Sequence, residues 1–338
     1  MSKLPLRRPL VFLLLVLLPT APASAWYDAG HKVIASIAFR RLSEVERARV
    51  VELLRAHPRF TEDFERKLPE DAQNEPARQE WLFQQAAVWP DLAREFRGED
   101  WQRFHRSTWH YIDLPRYLSE ADRAALEPEL ATNTAYDPPA EAQEVADFAA
   151  LNIVQSIRRA RRLAALEGTR AEDRAVLLCW LFHNVGDVHQ PMHVGSLYSR
   201  RAFPTGDRGG NGIRTRERGN LHGVWDGLLG SRPPWDEARN HALTLLAAET
   251  TEVLEAPPVL DEAVWVNESR ELVLAAAYDP TVLAYLRLLE SHEEPETLAP
   301  LELPEEYLEN AGYIARRRVV LAGLRLAAVL REVVAEQK

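Results

Sequence analysis

The chain has 338 residues, 46% of them hydrophobic, with 41 lysines and arginines against 51 aspartates and glutamates and a formal charge of −10. That length allows a sizeable core at the upper end for one domain, and the acidic balance excludes a general attraction for nucleic acid, so a phosphate substrate needs a local positive centre such as bound metal. Cys179 is the only cysteine, which excludes an intramolecular disulfide and leaves stability to packing, with metal as a supplement.

In chain order, Lys3, Arg7 and Arg8 precede an apolar run from Leu10 to Leu18 and then Ala23-Ser24-Ala25. This reads as a secretory signal peptide over residues 1–25, cleaved after Ala25. The run is about half of the roughly 20 residues that span a bilayer, so a membrane anchor is the weaker reading. Cleavage leaves one domain, residues 26–338, with a net charge of −13. The expected location is the periplasm or the exterior, with no membrane anchor and no obligate protein partner evident. Trp26 becomes the first residue, and its α-amino group and carbonyl become free groups.

In GHKVIASIAFRRL the residues Val33, Ile34, Ile37, Ala38 and Leu42 share a helical face. Ser43 and Glu46 form a capping box that opens a second helix, and Pro58 marks its end. Residues 141–166, 171–188, 236–255, 260–276 and 305–335 also read as helices. Strand-like alternation is nearly absent, so the expected class is all-α. Cys179, inside AVLLCWLF, reads as a small buried core residue.

Two segments break the pattern. Residues 115–140 are polar and proline-containing and read as a loop. Residues 195–220 are glycine-rich and carry six arginines against one aspartate and one glutamate. They read equally as a solvated flexible loop or as a basic loop that holds a phosphate backbone.

Histidine and aspartate cluster in short motifs. In CWLFHNVGDVHQPMH, His183 and Asp187 stand four apart and share a helix face. Pro191 then disrupts regular helix and redirects His193, so one segment can serve two adjacent metal positions. NLHGVWD repeats the spacing with His222 and Asp226, half of a zinc site. WHYID brings His110, Tyr111 and Asp113, and AVWPDLAR brings Asp91 and Arg94. Singly, each motif is more readily a surface pair or a satisfied core histidine; together they favour a multi-metal centre. A free amine at Trp26, with a pKa of roughly 7.7–8.0, can yield its proton to a metal near neutrality, and His31 can complete that hold. The competing reading is that Trp26 packs and His31 caps a helix.

The ordered set WYDAGH, AVWPD, WHYID, FHNVGDVHQPMH, GGN and NLHGVWD resembles the zinc-dependent single-strand nucleases, the fungal and plant nuclease I type with a trinuclear zinc centre. The resemblance runs from Trp26 to about Leu330. It implies a single-domain helical bundle of the phospholipase C/nuclease type with long loops. It also implies three Zn2+ ions and hydrolysis of single-stranded DNA and RNA to 5′-nucleotides, with 3′-nucleotides as further substrates. By the same resemblance, Asp91, His110, His183 and Asp187 hold one zinc. Trp26 through its amine and carbonyl, His31 and the shared Asp187 hold a second, and His193, His222 and Asp226 a third. His189 is left as a supporting or structural residue.

The implied chemistry is zinc-assisted attack of water on phosphorus, with the third ion stabilising the departing 3′ oxygen. Arg94 offsets transition-state charge, and Asp91 orients the attacking water as well as ligating. Tyr111, Asp113 and Asn211 receive a base. Stacking of roughly 1–3 kcal/mol per base requires a base free of its duplex, hence a single-strand preference. The loop from Gly195 to Arg208 is longer than the family pattern. Two alternatives stand beside this reading: a zinc-dependent phospholipase C, whose last acidic ligand is usually glutamate where this chain has Asp226, and a secreted protein with purely structural zinc.

Overall fold

The computed structural model describes residues 26–139 and 150–335. The signal peptide expected over residues 1–25 and the first part of the helix expected over 141–166 lie outside them. The chain opens with α1 (Asp28–Arg41), α2 (Glu44–Arg55), the single turn α3 (Phe60–Asp63), α4 (Glu75–Leu92) and α5 (Gly98–Phe104). Strand β1 (Leu114–Tyr117), α6 (Glu120–Leu126), α7 (Ile153–Ala165), α8 (Ala171–Asp187) and β2 (Gly195–Tyr198) follow. After the two-residue strands β3 (Arg214–Thr215) and β4 (Gly219–Asn220) come α9 (Leu221–Asp226), α10 (Trp235–Ala248) and α11 (Thr251–Glu255). The chain closes with α12 (Glu262–Leu272), α13 (Pro280–Ser291) and α14 (Glu305–Val333). The all-α class is therefore right.

Helix α1 is buried on nearly every side, from Ala29 to Phe39 apart from Lys32. A helix without a polar face belongs inside the bundle, and α1 packs on α14, α4, α10 and α8. Gly323 makes the closest of these approaches: a Cβ there would meet Ile37 Cγ2 at 2.4 Å. Helix α8 is buried without interruption from Leu177 to Asp187, including Cys179, and packs on α7, α4 and α2. Two helices that read as hydrophobic runs thus form the centre, and their ends carry the polar residues of interest.

Local capping explains where helices begin. The expected box on α2 is present, with Ser43 accepting from Glu46 N and Glu46 accepting from Ser43 N. Asn152 and Gln155 form the same box on α7, so among the described residues that helix starts at Ile153. The single helix expected over 236–255 is two helices, because Thr250 accepts from Val253 N and starts α11 afresh. The helix expected over 260–276 is capped by Asp261 and passes into a π-helical turn at Val273–Ala277. Helices α4 and α13 were not expected, although Asn74 and Asp279 cap them, each with a proline in the first turn.

Both expected loops are corrected. Residues 115–140 contain β1 and α6, with Ser119 accepting from Asp122 N at the helix start. Residues 195–220 are not a free loop: β2 pairs in parallel with β1, Leu114 opposite Gly195 through Tyr117 opposite Tyr198. All four β2 residues are buried and all four β1 residues half-buried, so neither strand alternates and period-two patterning could not reveal them. Among the described residues no single helix is long and apolar enough to cross a membrane.

Candidate metal centre

Helix ends deliver the donor groups. The last turn of α8 carries His183 and Asp187, whose Nε2 and Oδ2 lie 3.1 Å apart as the four-residue spacing requires. His31, in the first turn of α1, stacks on His183 with ring centroids 4.0 Å apart and brings Nε2 to 3.2 Å from Asp187 Oδ1. Asp91 stands at the end of α4, where Pro90 has no N–H to complete the ladder, and its Oδ1 lies 3.7 Å from His183 Nε2. His110 ends a 3-10 turn and places Nδ1 3.1 Å from Asp187 Oδ2 and 2.9 Å from His183 Nε2.

A second group stands alongside. His193 follows Pro191 in a 3-10 turn, and α9 carries His222 and Asp226. His222 Nε2 lies 3.3 Å and His193 Nε2 3.8 Å from the Asp226 carboxylate. Donor atoms fall within 4.8 Å of one another in three sets: His31, Asp91 and His183; His110, His183 and Asp187; and His193, His222 and Asp226.

The donors fit a divalent metal such as zinc. His183 Nδ1 donates to the Ala87 carbonyl at 2.8 Å, His193 Nδ1 to that of His110 at 2.6 Å and His222 Nδ1 to that of Gly209 at 2.7 Å. A carbonyl only accepts, so each Nδ1 carries the proton and each Nε2 offers a lone pair to the centre. His31 Nε2, His193 Nε2, His222 Nε2, Asp187 Oδ1 and Asp226 Oδ2 are buried and have no hydrogen bond. Each such group costs about 1–3 kcal/mol unless something satisfies it, and imidazole with carboxylate is a zinc donor set. Burial pushes the His31 and His222 imidazoles down and that of His110 down to about 3, keeping them neutral as ligands must be. Burial alone would raise the Asp187 carboxyl, but the charge that His183 and His193 carry when protonated, with the hydrogen bond from His110, holds it well below the usual carboxylate range.

Trp26 is fully buried beside this centre, and its Nε1 donates to the Gly186 carbonyl at 3.1 Å. Tyr27 N donates to the Asp226 carbonyl at 3.1 Å. The backbone of residue 26 is thereby held between a neighbour of Asp187 and Asp226 itself. Two glycines make room for this: a Cβ on Gly30 would stand 2.7 Å from Trp26 Cβ, and one on Gly186 would stand 3.0 Å from His31 Nδ1. Neither glycine stood out in the sequence.

A cleft of ≈ 360 Å³ opens over the metal-binding groups. Arg94, Tyr111, Asp113 and Asn211, all read from the sequence, line it together with His110, His193 and His222. Arg94 Nε lies 3.0 Å from Asp91 Oδ1. Tyr111 is 37% exposed, and Asp113 accepts from Ser196 Oγ at 2.6 Å while burial pushes its carboxyl up. Sequence reasoning missed His105, Ser107 and Met192 in the wall, and did not single out Arg208 from the other loop arginines. His189 stays out of the centre: its Nδ1 donates to the Val185 carbonyl at 2.7 Å and its Nε2 accepts from Arg325 at 2.8 Å, a structural role.

A family model described as S1/P1 nuclease matches residues 26–335. Endonuclease 1 of Arabidopsis thaliana is 27% identical over 335 residues, covering 96% of this chain and 92% of its own. Endonuclease 4 of the same plant is 24% identical over 317 residues, covering 92% of this chain and 90% of its own. Because the family match takes in every described element and all of the grouped histidines and aspartates, the chain belongs to the S1/P1 nuclease family, which supports nuclease activity.

Proposed function

We propose that the protein is a zinc-dependent phosphodiesterase that hydrolyses single-stranded DNA and RNA to 5′-nucleotides and also removes phosphate from 3′-nucleotides. The observation that carries this reading is the pair of buried His/Asp groups on the floor of one cleft whose wall holds Arg94, Tyr111 and Asp113. Asp91, His110, His183 and Asp187 would hold one of three Zn2+ ions. The amine and carbonyl of Trp26, His31 and Asp187 would hold the second, and His193, His222 and Asp226 the third. Zinc bound there supplies the Lewis acidity that phosphodiester hydrolysis needs near neutral pH.

The chain's own residues do the rest. Arg94, drawn to Asp91, presents a guanidinium to the non-bridging phosphate oxygens, where charge grows in the transition state. Asp91 orients the attacking water. Tyr111 offers an exposed ring for a base, and the Asp113 carboxylate and Asn211 amide offer acceptor and donor groups for its edge. A ring that must stack on the base explains a preference for unpaired strands. Residues 1–25 act as a signal peptide, so the mature enzyme is one domain from Trp26, secreted or periplasmic.

The test is to incubate the mature protein with single-stranded DNA, RNA, duplex DNA and phosphatidylcholine, with and without a chelator. Chelator-sensitive release of 5′-nucleotides, faster from single strands than from duplex, is expected. Cleavage of phosphatidylcholine alone would make the protein a phospholipase C. Loss of fold on chelation without any activity would reduce the zinc to a structural role.

A further inference from the structure

The six arginines between residues 195 and 220 do not share one fate. Arg200 pairs with Asp122 at 3.0 Å, and Arg216 with Glu302 at 2.7 Å. Arg201 donates to the Glu290 and His292 carbonyls and Arg214 to those of Glu296 and Leu298. Arg218 lies over the Tyr27 ring and reaches Ser231 Oγ at 3.3 Å. These five are staples that tie the segment to α6, to α13 and the loop after it, and to Tyr27 just ahead of α1. The sixth, Arg208, is exposed on the cleft wall, and its guanidinium makes no hydrogen bond or ion pair among the described residues.

Its backbone is held in a conformation that disfavours it. Arg208 has φ 59°, and among the described residues it is the one non-glycine with a positive φ. Left-handed backbone suits glycine, and this segment places glycine at its other such positions, Gly206, Gly209, Gly210 and Gly219. The strain is kept in place from both sides. The Asp207 carboxylate accepts from Leu197 N at 2.9 Å and from Tyr278 OH at 2.7 Å, and the Arg208 carbonyl accepts from Asn211 Nδ2 at 2.8 Å. The next residue, Gly209, lends its carbonyl to His222. A long cation is thus fixed at its root on the cleft rim, where glycine would fit the backbone better. Burial and the Asp113 charge push the Tyr111 hydroxyl up and burial pushes the Asp113 carboxyl up, and the Arg208 charge opposes both.

We propose that Arg208 binds a phosphate of the polynucleotide chain other than the one being hydrolysed, so that it selects polymer over mononucleotide. This rests on the nuclease reading above. The phosphate under attack is served by the buried His/Asp groups and by Arg94, which stands with Asp91. Arg208 stands beside Tyr111 and Asp113, where a base would lodge, and a substrate reaching past that base presents its next phosphodiester to the rim. An exposed guanidinium is suited to this, since its fork matches two phosphate oxygens and its charge releases counterions from the strand. A 3′-mononucleotide has a single phosphate, already engaged by the centre, and offers Arg208 nothing comparable.

The experiment compares the unaltered enzyme with Arg208→Gly and Arg208→Lys on a single-stranded oligonucleotide and on a 3′-mononucleotide. Glycine relieves the left-handed backbone, so the melting temperature of R208G should not fall. Its kcat/KM on the oligonucleotide should drop about tenfold, mainly through KM, and that loss should exceed its loss on the mononucleotide by about the same factor. The slope of log(kcat/KM) against log[salt] on the oligonucleotide should become shallower by about one unit, and R208K should recover part of both effects. Equal losses on the two substrates would assign Arg208 to the base or to the reacting phosphate and overturn the proposal. An unchanged KM and salt slope in R208G, with the unaltered enzyme active, would also overturn it while leaving the nuclease reading intact. Absence of chelator-sensitive cleavage by the unaltered protein would bring down both.

Discussion

Single residues decide how the metal-binding groups approach one another. Gly186 lies in the last turn of a buried helix, one residue before Asp187, and a Cβ there would stand 3.0 Å from His31 Nδ1 and 3.2 Å from Ile34 Cδ1. In an exposed helix, glycine to alanine stabilises by up to about 1 kcal/mol. Here the sign should reverse, because both neighbours are fully buried: Gly186→Ala should destabilise by about 1–3 kcal/mol, as overpacking does. It should also reduce bound zinc, since His31 must move off Asp187. Urea unfolding and metal analysis of the purified variant check both, and a gain in stability would show that the contact yields. The four-residue spacings of His183 with Asp187 and of His222 with Asp226 were legible because a helix repeats at that interval. The glycines that let His31 and Trp26 close in carry no comparable signal, since a glycine's use depends on what stands opposite it.

At the scale of elements, the start of α1 is the part whose proposed chemistry would depend on removal of residues 1–25. The Trp26 indole is pinned to Gly186 and Tyr27 N to Asp226, so residue 26 is positioned by contacts that do not involve its own amine. Retaining Ala25 would convert that amine to an amide, which offers no lone pair to a metal. A variant beginning with Ala25-Trp26 should therefore bind about one zinc fewer and lose most activity while its far-UV circular dichroism stays the same. Full activity would remove the ligand role given to the terminus. The same scale shows where periodicity failed. Strand β2 is buried along its whole length beside a half-buried β1, and Thr250 interrupts an apolar run that looked continuous.

Over the whole molecule, the metal-binding groups join the bundle as much as they serve the cleft. Their residues come from α1, α4, α8, α9 and the segments around His110 and His193, so ions held there would cross-link elements that are distant in sequence. With metal in large excess over its dissociation constant, linkage contributes about 4 kcal/mol per site, and a chain of this size should lose about 5–10 °C in Tm for each site that chelation empties. Differential scanning calorimetry with and without chelator tests this, and an unchanged Tm would mean that the donors stay satisfied without metal. The sequence alone was enough for the helical class, for the family and for the eight histidines and aspartates that converge, because apolar period and ligand spacing are local properties written along the chain. It could not say which of six arginines faces the cleft, that two irregular segments pair as parallel strands, or that glycines at 30 and 186 set the approach of Trp26 and His31. Those outcomes depend on which side chain finds a carboxylate, a carbonyl or empty space across the fold, and only tertiary packing brings such partners together.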